Sequence, residues 1–297
     1  MTFRVLLCRP SGGLTDTLCQ VERCWRYAAA NRRLLVIDSL KSGLWGPFSK
    51  YFVLSDATTE VLPQPTTSLM AELNGARCVP SALQGRLTTY RCNWDANLRA
   101  LVDAETRAEL SFNFDVDYDE PLLVHHQAGG GAREALSLLQ RIRFREDLAS
   151  ICREKLRSLG SDYDAIHIRN SDYRTDWKPF LAEVRSKLEA ASVLICSDDL
   201  NVLRFCEGFF KPKQVLISSY PPDTGGKALH THESNLSATQ RDAVVRDCLV
   251  DLLALSQGVT LHYSNTTNGH PSGFSQLAEL LHDRPDVIEA LLAGKSE

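Results

Sequence analysis

His167 and Arg169 stand two residues apart near the end of an apolar run, Ala165-Ile166-His167-Ile168-Arg169-Asn170-Ser171-Asp172-Tyr173. On a strand that spacing places both side chains on one face, and Asn170, Ser171 and Asp172 supply the turn that follows. A guanidinium at a strand end suits a diphosphate, because its planar fork matches phosphate oxygens and cannot lose its charge. The same residues equally allow Arg169 to pair with Asp172 or Asp198 and His167 to be a satisfied core histidine. A second apolar run, Val193-Leu194-Ile195-Cys196-Ser197-Asp198-Asp199, ends in acids just before a helix. There Asp198 or Asp199 either caps the helix or accepts hydrogen bonds from a nucleoside. The third segment, Gly269-His270-Pro271-Ser272-Gly273-Phe274-Ser275, opens a helix whose free N–H groups form an anion site, although ordinary capping by Ser272 accounts for the same residues. Ser11-Gly12-Gly13-Leu14-Thr15-Asp16 likewise turns a strand into a helix. In that turn Asp16 is either a cleft-facing base or an early-helix acid favoured by the dipole.

Other chemistries lack their fingerprints. There is no GxGxxG, no Walker loop, no GxSxG elbow and no CxxC pair. His125-His126 and His230-Thr231-His232-Glu233 raise the question of zinc, but Pro221-Pro222 and Gly225-Gly226 mark the second of these as loop, and no metal is expected. The nine cysteines, Cys8, Cys19, Cys24, Cys78, Cys92, Cys152, Cys196, Cys206 and Cys248, are scattered through hydrophobic runs, as small buried residues of a reducing compartment would be. A net charge of −4 offers nucleic acid no general attraction. The arginine-dense stretch Arg141, Arg143, Arg145 and Arg153 reads as a solvated helix face or an anion site. No run approaches the ~20 apolar residues of a spanning helix, and the apolar stretch of MTFRVLLCRPSGG is too short for a signal peptide. The expectation is a soluble cytoplasmic protein.

Short apolar runs alternate with amphipathic ones, the pattern of an α/β protein with largely parallel sheets. Phe3 to Cys8 reads as a strand, Leu14 to Asn31 as a helix with Leu14, Leu18, Val21, Trp25 and Ala28 or Ala29 on one face, and Leu34 to Asp38 as a strand. Residues 40 to 120 carry only weak signals, such as a strand at Arg77 to Val79. After a strand at Leu122 to His126, Gly129-Gly130-Gly131 marks a turn or hinge, and the domain boundary is expected between 127 and 145. The second half then alternates regularly, with helices at Glu146 to Leu159, Pro179 to Ala191, Leu200 to Phe209 and Thr239 to Ser256. Its strands are expected at Tyr163 to Arg169, Ser192 to Ser197, Gln214 to Ser218 and Val259 to Tyr263, and helices at Gly273 to His282 and Pro285 to Leu292 close the chain. Ligands of open parallel sheets bind beyond the carboxyl ends of the strands, which points to residues 9–16, 167–173, 197–199 and 264–275.

Taken in order, these segments resemble the fucosyltransferase superfamily. Gly12-Gly13-Leu14-Thr15-Asp16 through Trp25-Arg26-Tyr27-Ala28, with Arg33-Leu34-Leu35-Val36-Ile37-Asp38, is similar to the start of the bacterial nodulation α1,6-fucosyltransferases. His167-Ile168-Arg169-Asn170-Ser171-Asp172-Tyr173 resembles the HxRxGDY motif of α1,2-fucosyltransferases. Ser197-Asp198-Asp199 resembles their SDD segment, and Asp247 through Leu255 with Ser272-Gly273-Phe274-Ser275 their closing pattern. Asn170-Ser171 stands in place of the usual Arg-Gly, Thr15-Asp16 in place of Gly-Asn, and Gly273 in place of a serine.

The resemblance implies an α/β protein of two Rossmann-like domains facing a cleft (GT-B-like). Residues 1–135 would form an N-terminal acceptor-side domain and residues 136–297 the sugar-nucleotide-binding domain. It implies an inverting, metal-independent transfer from GDP-fucose to a glycan or glycolipid hydroxyl, with no cofactor. Arg169 would hold the donor diphosphate, His167 would line its pocket, and Ser197 and Asp198 would lie near the nucleoside. Ser272, Gly273, Phe274 and Ser275 would close around the phosphates, and Gly12 and Gly13 would let the backbone approach the donor. Asp16 is the first candidate for the general base, with Asp172 and His125 behind it. The alternatives are a transferase using another sugar nucleotide, such as a CMP-linked sugar acid given His270-Pro271, and a non-catalytic nucleotide-sugar-binding module. Nucleic acid is not an expected partner. A lipid-linked acceptor would bring the protein to the inner face of the membrane.

Overall fold

A computed structural model of the chain describes residues 4–55, 59–227, 229, 235–267 and 269–294. The chain divides into two compact units, Met1–Ile142 and Arg143–Glu297.

The first unit starts with β1 (Val5–Cys8), α1 (Leu14–Ala30) and β2 (Leu34–Ile37). There follow β3 (Phe52–Leu54), β4 (Val61–Leu62), α2 (Thr67–Asn74) and β5 (Cys78–Val79). The hairpin strands β6 (Cys92–Asp95) and β7 (Ala100–Asp103), then β8 (Leu122–His125) and α3 (Ala132–Leu139), complete it. The main sheet has the order β4-β2-β1-β8-β5 and all its pairings are parallel. In register, Leu7 pairs with Val36 on one side and Val124 on the other. Strands covered on both faces are apolar along nearly their whole length, as VLLC, LLVI and LLVH are apart from His125. One face packs on Leu73, Leu83, Leu87, Leu101 and Leu110.

α1 buries Leu14, Leu18, Val21, Trp25 and Ala28, the stripe its periodicity predicts, and packs on α3. The glycines before α3 serve close approach: a Cβ on Gly130 would lie 2.4 Å from the Cβ of Cys19, and the Gly131 N–H donates to the Cys19 sulfur at 3.1 Å. The sequence reading saw a turn or hinge here and no helix at 132–139, because three glycines mask a start that only the contact with α1 requires. At Gly12 φ is +90°, and a Cβ would come 2.4 Å from an Asp16 carboxylate oxygen. Gly12→Ala is expected to cost about 2–3 kcal/mol, read as a lower denaturant midpoint with an unchanged slope.

β9 (Ile142–Phe144) precedes the second unit's α4 (Glu146–Leu159), β10 (Tyr163–Ile168), α5 (Trp177–Arg185) and β11 (Ser192–Ser197). α6 (Leu200–Phe209), β12 (Gln214–Leu216), α7 (Ala238–Ser256), β13 (Leu261–Tyr263), α8 (Gly273–His282) and α9 (Pro285–Leu292) follow. The sheet order is β12-β11-β10-β13, again parallel throughout. Ile166, Ile168, Val193 and Ile195 face Leu181, Val184, Leu203 and Phe210. α5 stops at Arg185 and not at the expected Ala191. The buried carboxylate of Asp164 accepts the Ala190 N–H at 2.8 Å and the Thr260 hydroxyl at 2.6 Å, which draws residues 186–191 off the helical path. All nine cysteines are free thiols. No helix among the described residues is long and apolar enough to cross a membrane.

Candidate functional site

The sites expected from the sequence in the second unit gather at the carboxyl edge of its sheet. Arg169, one residue past β10, pairs with Asp198 at 2.8 Å and with Asp172. Asp198, one residue past β11, also accepts the backbone N–H of Asn170 at 2.7 Å and the Ser171 hydroxyl at 2.5 Å. Adjacent strand ends put these groups within reach, since β10 and β11 are hydrogen-bonded neighbours with Ile168 opposite Ser197. Asp199 caps α6 by accepting the Asn201 N–H at 2.8 Å and also holds the Asn170 amide at 2.8 Å. Ser197 accepts the Asp199 N–H at 3.2 Å. Asp198 thus orders the turn after β10, and Arg169 is ion-paired. Of the two carboxylates, Asp172 is the more exposed, at 31% against 10% for Asp198.

His167 lies beneath this turn, buried, with Nδ1 2.7 Å from the Ser275 hydroxyl. Ser275 lies 2.9 Å from the hydroxyl of Ser272, which caps α8 by accepting the Ser275 N–H at 3.1 Å. The Phe274 ring packs 5.1 Å from the imidazole. Burial and the neighbouring Arg169 push the His167 pKa down to about 3, so the ring is neutral and works as a strut between β10 and α8. Its effect is to fix the α8 N-terminus, with the N–H groups of Gly273 and Phe274, at the sheet edge that carries Arg169.

The sequence reading missed Asp251. This α7 carboxyl accepts hydrogen bonds from Ser218 and Ser219, the latter at 2.9 and 3.0 Å, in the turn after β12. Ser218 in turn lies 3.4 Å from the Cys196 sulfur. Burial, together with Asp247, pushes the Asp251 pKa up to about 7 despite the serine hydroxyls. Nothing in the local pattern sets Asp251 apart from Asp242 and Asp247 of the same helix, and only the packing of α7 against β10 and β11 does so. Ser264, just past β13 and within the expected stretch 264–275, has a buried hydroxyl with no partner among the described residues.

The remaining expected residues lie in the first unit. Asp16 accepts the Gly13 N–H at 3.1 Å at the start of α1. His125 is engaged on both ring nitrogens, by Ser111 at 2.8 Å and by Gln20 at 2.6 Å, which leaves no nitrogen for base work. His230, Thr231, His232 and Glu233 lie outside the described residues. Among those described, no group of three or more His, Cys, Asp and Glu side chains could hold a metal ion.

A pH prediction follows from the neutral histidines. His125, His126 and His167 all have pKa values pushed down to about 3 by burial, against about 6.5 in an unfolded chain. Each contributes stability that is complete above pH 6.5 and lost as pH falls toward 3, by about 1.4 kcal/mol per unit. Asp251 gains with the opposite sign between pH 7 and 4, so the net loss below pH 6.5 corresponds to about two histidines. Denaturant titrations at pH 7, 6 and 5 should show a falling midpoint.

No family model and no curated protein matches the chain. Solved structures do. A NodZ α-1,6-fucosyltransferase soaked with GDP-fucose superposes with a TM-score of 0.64 at 18% identity, over 94% of this chain and 92% of that one. A NodZ α-1,6-fucosyltransferase co-crystallised with GDP gives 0.62 at 17%, over 94% and 92%. The fucosyltransferase NodZ from Bradyrhizobium gives 0.63 at 18%, over 94% and 93%. The fold is that of NodZ. The likeness covers the backbone of nearly the whole chain, with the parallel sheets and flanking helices of a GT-B-like fold.

Proposed function

We propose that the chain is a glycosyltransferase that moves fucose from GDP-fucose to a hydroxyl of a glycan or glycolipid, with inversion and without a metal. The observation that carries this reading is Arg169 at the end of β10, on the same sheet edge as the His167-anchored N-terminus of α8, in a chain with the NodZ fold. In the reaction an acceptor oxygen attacks the anomeric carbon as the bond to the diphosphate breaks, and charge grows on the leaving GDP. Arg169 and the N–H groups of Gly273 and Phe274 meet that charge where a cation would otherwise be needed. Diphosphate binding draws the guanidinium from Asp172, so that this carboxylate is released as the donor arrives. Base duty then falls to Asp16 or Asp172, since His125 has no nitrogen to offer. A lipid-linked acceptor would hold the enzyme at the inner face of the membrane.

Thermal-shift measurements with GDP, UDP, CMP and TDP test the donor. GDP should stabilise the protein by several degrees, the other nucleotides less, and Arg169→Ala should remove the effect. Selective stabilisation by CMP would assign a CMP-linked donor. GDP binding without turnover over a broad acceptor panel would make the chain a binding module. No response to any nucleotide would end the reading.

A further inference from the structure

The β6–β7 hairpin presents a surface with no part in the roles above. Its strands pair with Trp94 opposite Leu101 and Asp95 opposite Ala100, so Trp94 and Leu101 lie on one face. Leu101 is 8% exposed and belongs to the core of the first unit, yet Trp94 beside it is 53% exposed. The packing that covers the leucine ends before the indole. The loop 96–99 is exposed at every residue. Within it Leu98, at 58%, is the most exposed large apolar side chain among the described residues. Single exposed apolar residues are ordinary. Two together at one hairpin end are less so, because such turns favour Gly, Pro, Asn, Asp and Ser.

The tip is ordered without help from a ligand. Asp95 accepts the N–H groups of Asn97 at 3.0 Å and Leu98 at 3.2 Å, and it pairs with Arg107. Arg99 closes the turn at φ 52°, a left-handed conformation that glycine adopts at lower cost. The acids of residues 90–106 are all engaged, Asp95 by Arg107, and Asp103 and Glu105 by Arg86 at 3.0 and 2.8 Å. Arg91 and Arg99 form no ion pair among the described residues, and neither does Lys41. Lys41 stands close enough to Cys92 for its charge to oppose the burial that raises that thiol's pKa. Cys92 is two residues before Trp94 and on the same face.

A projecting apolar end with uncompensated cations around it fits a flat anionic surface. A tryptophan places its ring among acyl chains and its N–H among headgroups, and each cation near such a surface adds attraction. A sugar platform would need a concave site with converging polar groups, and the adjacent carboxylate, Asp95, is already held. A second copy fits less well, since two-fold pairing of tips would set Arg99 against Arg99.

We propose that the β6–β7 hairpin is a membrane-docking tip, seating Trp94 and Leu98 in the headgroup region of an anionic bilayer while Lys41, Arg91 and Arg99 meet lipid phosphates. The contact belongs to the chain itself and requires neither donor nor lipid-linked acceptor, so it stands apart from the transferase reading.

Flotation of the full chain with vesicles, without nucleotide or saccharide, reads the docking directly. The wild type should bind phosphatidylcholine vesicles mixed three to one with phosphatidylglycerol, bind phosphatidylcholine alone far more weakly, and lose affinity as salt is raised. Trp94→Ala and Leu98→Asn should each weaken binding about tenfold or more. Lys41→Gln and Arg91→Gln should each weaken it about fivefold. Arg99→Gly should do the same with a thermal midpoint near that of the wild type, because glycine suits the left-handed position, and its lost binding is then not unfolding. The proposal is overturned if the wild type does not float with the anionic vesicles, if it floats equally with neutral ones, or if the Trp94 and Leu98 variants bind as the wild type does. Saturation transfer to maltotriose that Trp94→Ala abolishes, with no vesicle binding, would make the tip a sugar platform instead.

Discussion

Arg169→Ala is expected to lower kcat/KM for the sugar nucleotide at least 100-fold, a loss of about 2.7 kcal/mol or more in transition-state stabilisation. A charged hydrogen bond to phosphate contributes about 1.5–3 kcal/mol, and a guanidinium offers two in parallel. Removal also leaves Asp198 and Asp172 without their cation, so carboxylates would then face the diphosphate. Arg169→Lys should recover little, because a single ammonium cannot satisfy Asp198 and a phosphate in the same planar geometry. Asp172→Asn separates binding from chemistry. It ends the competition for the guanidinium, so GDP should bind several-fold more tightly, while kcat falls if the freed carboxylate is the base. Calorimetry with GDP and steady-state kinetics on the same variants read the two effects independently.

Asp251→Asn should have the largest effect on stability, with a magnitude that depends on pH. The carboxyl has a folded pKa of about 7 against about 3.9 unfolded. Its proton-bound form is therefore the one the fold favours. The contribution to stability is complete below pH 4, declines as pH rises through the interval to 7, and beyond that the buried charge costs roughly 4 kcal/mol. Asparagine keeps an oxygen for Ser218 and Ser219 without the charge. The variant should be more stable than the wild type by about 4 kcal/mol at pH 8 and by only about 1.5 kcal/mol at pH 5. Denaturant titrations at those two pH values check this, and an equal shift at both would show that the carboxyl is not titrating.

The secondary elements of the second unit were readable because its two central strands are buried almost throughout and alternate with amphipathic helices. Tyr163–Ile168 is buried at every position, and apart from Asp164 and His167 its residues are apolar or aromatic up to where the polar turn begins. The first unit between residues 40 and 120 was not readable. α2 and the β6–β7 hairpin are short, and long-range bonds hold them, such as the Gln127 amide on both backbone groups of Leu101. No local period records such a contact.

The site divides in the same way. Position at a strand end follows from periodicity and the polar turn residues alone, which is why His167, Arg169, Asp198 and Ser272 could be named from sequence. Partnership does not. Whether Arg169 meets Asp198 depends on β11 lying beside β10, and the bond from His167 to Ser275 spans 108 residues. The serine bonds of Asp251 depend on α7 packing against β10 and β11. Local pattern determines which residues stand at the edge of a sheet. The order of strands, a property of the folded chain, determines which of them touch and which are neutralised.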